Sequence, residues 1–208
     1  MKRKLRSTEK LAPPWLAYTD LLSSTLMILM VALVTSSLGK LINEKPPIIR
    51  LGDDADFRFK PGSYGISQAF RKQLAMKQLP KIERVIRCYG IDTIEIIGHT
   101  DSTPNPSGGN LDSFKDNKLL VLSSNSAKSG SNADLGLLRA LSVEELLKQQ
   151  LSHRYKNLQY RSYSASSFVE PEAIRKELKA NPLSYQQAKR RIEVRFTRSN
   201  KAGAIPKC

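Results

Sequence analysis

Thr93-Ile94-Glu95-Ile96-Ile97-Gly98-His99-Thr100-Asp101 reads as one β-strand with a polar exit at its end. β-branched apolar residues fill the strand, Tyr89-Gly90 closes the segment before it, and Gly98 opens a turn carrying a histidine, a hydroxyl and a carboxylate. Upstream, Ser67 to Leu79 predicts a helix, Pro80 starts a second segment reaching about Cys88, and Asp56-Phe57-Arg58-Phe59 alternates as a strand does. Downstream, Asn132 and Arg139 are seven residues apart and share a face if one helix carries both.

Three pieces of this region occur together in a known family. Gly98-His99-Thr100-Asp101 ends the strand, Asn132-Ala133-Asp134-Leu135-Gly136-Leu137-Leu138-Arg139-Ala140-Leu141-Ser142-Val143 follows a long loop, and Arg190-Arg191-Ile192-Glu193-Val194-Arg195 supplies a last strand. In this order they resemble the OmpA-like peptidoglycan-binding domain, with Gly136 standing where that family usually has Ser, and the resemblance implies an α+β domain with helices packed on a small mixed sheet. The family's glycine-rich turn after the third strand is replaced here by Tyr163-Ser164-Ala165-Ser166-Ser167-Phe168. The resemblance implies that Thr100, Asp101, Asn132, Leu135 and Arg139 bind peptidoglycan. Stem peptides offer carboxylates and ammonium groups, so a binder needs one anion and one fork-shaped cation in a cleft, and Asp101 and Arg139 are such a pair. Asn132 sits near a helix start, where backbone donors favour an anion.

The other end of the chain differs in composition. Leu11 to Gly39 holds one charged residue, Asp20, and Leu21 to Leu38 is uncharged. The segment 15–38, as a helix, is about 36 Å long against roughly 30 Å of hydrocarbon. Pro13-Pro14 gives a rigid entry and Trp15 is an interfacial aromatic. A cleaved signal peptide and a buried helix of a soluble protein compete with a membrane span. The length of the apolar run, and a carboxylate behind Pro-Pro-Trp, favour the span. Residues 1–14 carry five Lys/Arg and residues 39–53 three, beside Glu44, Asp53 and the adjoining Asp54, which puts the N-terminus in the cytoplasm and the remainder across the inner membrane, in the periplasm.

Asp20 stands out, because a carboxylate inside a span costs several kcal/mol unless neutral, paired or hydrated. Ser23 and Ser24 lie one turn on, and with Thr19 they can line an ion path for a proton or a desolvated cation. The bland alternative is an interfacial Asp20 that snorkels. Pro13-Pro14-Trp15-Leu16-Ala17-Tyr18-Thr19-Asp20-Leu21-Leu22 resembles the membrane helix of MotB-like B subunits of ion-driven motors. That resemblance implies an ion-carrying Asp20 (H+ or Na+, with no other cofactor), a homodimer, and a ring of MotA/ZorA-like membrane subunits. Met27-Ile28-Leu29-Met30 stands where the family often has a phenylalanine pair. The connector of residues 39–55 is shorter than in flagellar stators and resembles that of ZorB subunits of an anti-phage defence system.

Other chemistry is weakly represented. His99 and His153 have no carboxylate or thiolate cluster at ligand spacing, and no phosphate-binding glycine motif occurs. Ser102 has no recognisable histidine and carboxylate partners, so the chain is not expected to be an enzyme. Cys88 and Cys208 are too few for a disulfide framework. The net charge of +15 on 208 residues suggests nucleic acid, but a domain outside the cytoplasm and an aromatic content of 7% argue against it. Residues 102–131 read as a long polar loop with one apolar anchor at Lys118–Leu122, and residues 199–208 as a tail after a domain spanning 56–198.

The sequence therefore predicts a peptidoglycan-anchored B subunit of an ion-driven motor, ZorB-like or flagellar. A passive wall tether is the alternative from another class.

Overall fold

The computed structural model describes residues 14–42, 46–52, 57, 59–105, 108–114, 126–170 and 182–198. The chain divides into two compact units, Met1–Glu44 and Lys45–Cys208.

The described part of the first unit is one helix, α1, Pro14–Ile42. Pro14 occupies the first helical position, where a missing N–H leaves no bond unmade. Within α1, Tyr18–Ser37 is long and apolar enough to cross a membrane, at a mean hydropathy of 1.6. Leu21, Leu22, Leu26, Met27, Leu29 and Leu33 are all exposed, so its apolar surface runs round the whole rod. A surface helix instead confines its apolar residues to one stripe. The helix continues past the expected end at 38.

The second unit is α+β. Its elements are β1 Ile49–Gly52, α2 Gln68–Gln73, a π-helical turn Leu74–Gln78, α3 Leu79–Tyr89, β2 Thr93–His99, a 3-10 turn Leu111–Phe114, α4 Asn132–Leu151, β3 Gln159–Ser166, α5 Pro182–Lys189 and β4 Arg191–Thr197. The sheet order is β1-β4-β2-β3. β4 is antiparallel to both neighbours, while β2 and β3 are parallel and α4 lies between them in sequence. Ile94, Ile96, Ile192 and Val194 from the strands share the core with Phe70, Leu74, Ile82 and Leu147 from the helices.

Local chemistry explains the elements. The Ser67 hydroxyl caps α2 by accepting from Phe70 N at 3.1 Å. The helix expected to stop at Leu79 instead runs on, because the π turn passes into α3 with Pro80 in its first turn, where proline is tolerated. Gly90 ends α3 at φ 60, a left-handed conformation suited to glycine. Cys88, near that end, is buried and disulfide-bonded.

Two expectations need correction. The strand read at 56–59 does not form at its two described positions: Phe57 lies in a turn and Phe59 in irregular chain, while Asp56 and Arg58 lie outside the described residues. Both rings plug the core against Phe70, at centroid distances of 5.1 and 5.3 Å. The place beside β4 belongs to β1, within the expected connector, where Leu51 is buried. The Lys118–Leu122 anchor and the tail 199–208 lie outside the described residues.

The approach of α4 to β2 depends on missing side chains. A Cβ on Gly98 would strike the Gly136 carbonyl, and one on Gly136 would strike the Ser164 hydroxyl and the Gly98 carbonyl. Gly136 is therefore the residue this contact demands, where the resembled family carries Ser.

Candidate functional site

The carboxyl end of β2, the start of α4 and the segment before β4 converge on a cleft of about 540 Å³. Thr100, Asp101, Asn132, Leu135 and Arg139 all line it, joined by Phe59, Asn105 and Arg190.

A slip in the ladder aims the end of β2. The β2–β3 register shifts between Gly98 and His99, so that His99 pairs with Ser166. Ser166 takes φ 51, and its carbonyl accepts from Thr100 N at 3.0 Å. Thr100 is buried with its hydroxyl unpartnered among the described residues. Asp101 follows at 8% exposure. One carboxylate oxygen accepts from Thr103 N at 3.1 Å, and the other from Arg190 Nη1 at 2.7 Å.

Arg139 reaches the cleft from the second turn of α4 and is 4% exposed. Its Nε donates to the Ser63 carbonyl at 3.0 Å and its Nη2 to the Lys60 carbonyl at 3.5 Å, while its guanidinium lies over the Phe59 ring at 5.0 Å. These contacts fix the fork and the turn at Gly62 together. The Nε and Nη2 bonds thus hold the cleft wall while the guanidinium lines the cleft.

Asn132 is the first residue of α4, after the Ser131 cap that accepts from Asp134 N at 3.1 Å. Its amide donates to the Thr103 carbonyl at 2.9 Å and the Asp101 carbonyl at 3.3 Å. Asn132 thus fastens the loop that carries Asp101. Leu135, 6% exposed, supplies an apolar patch.

Sequence reasoning missed Arg190. The tandem Arg190-Arg191 was read only as a strand start, yet Arg190 precedes β4 and turns to Asp101 while Arg191 enters the sheet and pairs with Glu193 at 3.0 Å. It also missed α5, whose Lys189 Nζ donates to Ser102 Oγ at 3.0 Å and whose Gln186 accepts from Ser102 N at 3.3 Å. No charge pattern announced that docking.

Below the cleft, Glu193 is buried among cations. The His99 ring, 3.7 Å away, with the Arg195 and Arg191 guanidiniums, holds its carboxyl well below the usual carboxylate range, against the opposing effect of burial. Among the described residues no group of three metal-ligating side chains occurs.

The base of the long loop is ordered. Asn110 joins Ser126 and Lys128 at 2.9 and 2.6 Å, Asn105 joins the Ser129 hydroxyl at 2.7 Å, and Leu111 and Phe114 pack on Leu138 and Leu141.

In the first unit, Thr19, Asp20, Ser23 and Ser24 are exposed on α1. Ser24 Oγ returns to the Leu21 carbonyl at 3.0 Å. Ser23 and Ser24 share a face with Asp20; Thr19 is set about 100° round the helix and meets Ser23 one turn on.

No protein-family model matches the chain, and no curated protein does. Among solved structures it is similar to the periplasmic domain of Helicobacter pylori MotB (residues 78–256), at 18% identity and TM-score 0.46, covering 75% of this chain and 78% of that one. It is similar also to a MotB periplasmic domain (residues 64–256), at 20% and 0.45, covering 76% and 67%. A third is the cell wall anchor of the T6SS from Pseudomonas aeruginosa, at 17% and 0.41, covering 73% and 81%. At these identities and scores the likeness carries no argument about what the chain binds.

Proposed function

We propose that the chain is the peptidoglycan-anchored B subunit of an ion-driven membrane motor, MotB-like and of the ZorB kind. Its α1 crosses the inner membrane once with the N-terminus in the cytoplasm, and its α+β domain holds peptidoglycan in the periplasm. The observation that carries this reading is Asp20, the one ionisable side chain between Trp15 and Gly39 other than Tyr18, on a helix whose apolar surface runs all round. A carboxylate in such a place is a functional group by default, since lipid penalises it heavily.

In this proposal two copies stand within a ring of MotA/ZorA-like subunits. Protonation of Asp20, or Na+ bound there, changes the charge between helix and ring, and the membrane potential supplies about 2.3 kcal/mol per charge per 100 mV. Ser23, Ser24 and Thr19 line the ion path. The cleft of Asp101 and Arg139 grips the wall, so that relative rotation does external work. No covalent step and no resident cofactor is involved. The short interval between α1 and β1 favours the ZorB kind over a flagellar stator.

The test is ion flux through vesicles holding the chain with its ring subunits. Asp20→Asn is expected to abolish flux while co-purification with the ring survives. Undiminished flux would leave only the passive tether, which shares the fold and gives Asp20 no task.

A further inference from the structure

We propose that the outer face of α2 and α3 binds the anionic headgroups of the membrane that α1 crosses. This rests on α1 being a membrane span, and on no property of the wall cleft.

Between Gln68 and Tyr89 the chain carries Arg71, Lys72, Lys77, Lys81, Arg84 and Arg87 against a single carboxylate, Glu83. All six cations are exposed, whereas Phe70, Leu74, Ile82, Val85 and Ile86 are buried on the opposite side. Lys81, Arg84 and Arg87 follow one another at spacings of three, which sets them in one stripe along α3, and Lys77 lies four residues ahead of them in the π turn. Arg71 and Lys72 lie in the last turn of α2, which leads directly into the π turn that carries Met76 and Lys77. Arg154, from the turn after α4, joins the patch through Glu83, which it holds by two bonds of 2.8 and 3.0 Å, with Arg87 3.8 Å from the same carboxylate. The one acidic group on the face is thus already matched by cations. Met76, 66% exposed amid these charges, adds an apolar side chain that can enter the headgroup boundary.

The tether selects lipid as the partner. The apolar span ends at Ser37, α1 ends at Ile42 and β1 begins at Ile49. Five more helical residues add about 8 Å, and seven extended steps at most about 25 Å. Chain length therefore holds Ile49, the domain's entry point, within roughly 33 Å of the hydrocarbon edge, about one domain diameter. At that range a patch of six or seven cations meets headgroups at high local concentration, and clusters of four to eight Lys/Arg on an amphipathic helix are the size that anionic lipid recognises. None of these residues lines the cleft, so the two bindings use separate surfaces.

The experiment uses the full chain in nanodiscs of phosphatidylcholine alone or with one third phosphatidylglycerol, and follows acetylation of individual lysines by mass spectrometry. Lys72, Lys77 and Lys81 are expected to react several-fold more slowly in the anionic discs, Lys128 equally in both, and 0.5 M NaCl to erase the difference. The triple variant Lys72→Gln/Arg84→Gln/Arg87→Gln, made wholly at exposed positions, is expected to remove the protection of Lys77 and Lys81, because three charges are worth on the order of 100-fold in affinity. Its binding to sacculi should be unchanged. Equal rates in the two discs, with the chain still embedded after an alkaline carbonate wash, would overturn this proposal alone. Release of the chain by that wash would overturn the membrane span and this proposal with it. Protection conferred by added sacculi in neutral discs, with none from anionic lipid, would give the face to the wall polymer and overturn the lipid.

Discussion

Arg190 Nη1 stands 2.7 Å from Asp101 Oδ2, closing an ion pair between the exit of β2 and the entry of β4. The pair joins segments 89 residues apart in sequence. It gives the cleft a carboxylate that is neither free to wander nor wholly exposed, and a ligand ammonium has to share it with a guanidinium already in place.

Asp101 and Arg190 are expected to act as a unit. Asp101→Asn and Arg190→Gln should each weaken binding to purified sacculi by about tenfold or more, the worth of one charge-assisted hydrogen bond. The double variant should lose little beyond the worse single one. Co-sedimentation of the full chain with sacculi measures this, and simple addition of the two losses would show that the pair does not cooperate.

Gly98→Ala is expected to destabilise the domain by several kcal/mol, because the new methyl meets backbone at Gly136 and rigid helix and strand cannot both retreat. Gly136→Ser should be milder, since part of its clash is with the Ser164 side chain, which can change rotamer. Denaturant midpoints of the two variants check the order; equal midpoints would argue that α4 and β2 are less closely packed than described.

Ser166 holds φ 51 without being glycine. Ser166→Gly is expected to stabilise the domain by up to about 1 kcal/mol through relief of that conformation. The gain is reduced by the larger entropy that glycine gives the unfolded chain. Thermal unfolding of the variant decides: an unchanged or lower Tm would mean that the neighbouring Ser164 hydroxyl, which accepts from Ser166 N at 3.2 Å, already offsets the strain.

Glu193 sets an acid limit. Its folded pKa lies below the ordinary value near 4.3, so its contribution is complete above that value and is lost as pH falls through the folded pKa. Stability should therefore decline from about pH 4 downward, and Glu193→Gln should flatten that decline while lowering stability at pH 7 by leaving Arg191 and Arg195 without their carboxylate. Tm measured across pH 2–7 in both proteins tests the slope; identical slopes would assign the acid limb to other groups.

The strand from Thr93 and the helix from Asn132 were legible because the β-branched run and the face shared by Asn132 and Arg139 are strong local signals that the tertiary packing here reinforces. The gathering of Thr100, Asp101, Asn132, Leu135 and Arg139 at one cleft followed from motif order. β1 was not legible: four residues, Ile49-Arg50-Leu51-Gly52, make too short a pattern, and their strand character comes from pairing with β4. Phe57 and Phe59 misled because alternating aromatics suit a strand and a core plug equally. Arg190 escaped because a charge beside a strand has no periodicity to say which way it turns.

The placement of β1 has a mechanical consequence. It runs antiparallel to β4, Ile49 against Val194 and Gly52 against Arg191, and β4 runs antiparallel to β2. Gly52 is therefore at the end of the sheet beside Asp101, and Ile49 is three pairs further from it, level with Val194 and Ile96 in the middle of β4 and β2. A pull entering the domain at Ile49 and leaving through the cleft passes lengthwise along the strands, loading β1 in shear. Ladder bonds lie across that direction, so all four pairs resist together and cannot be peeled open one at a time.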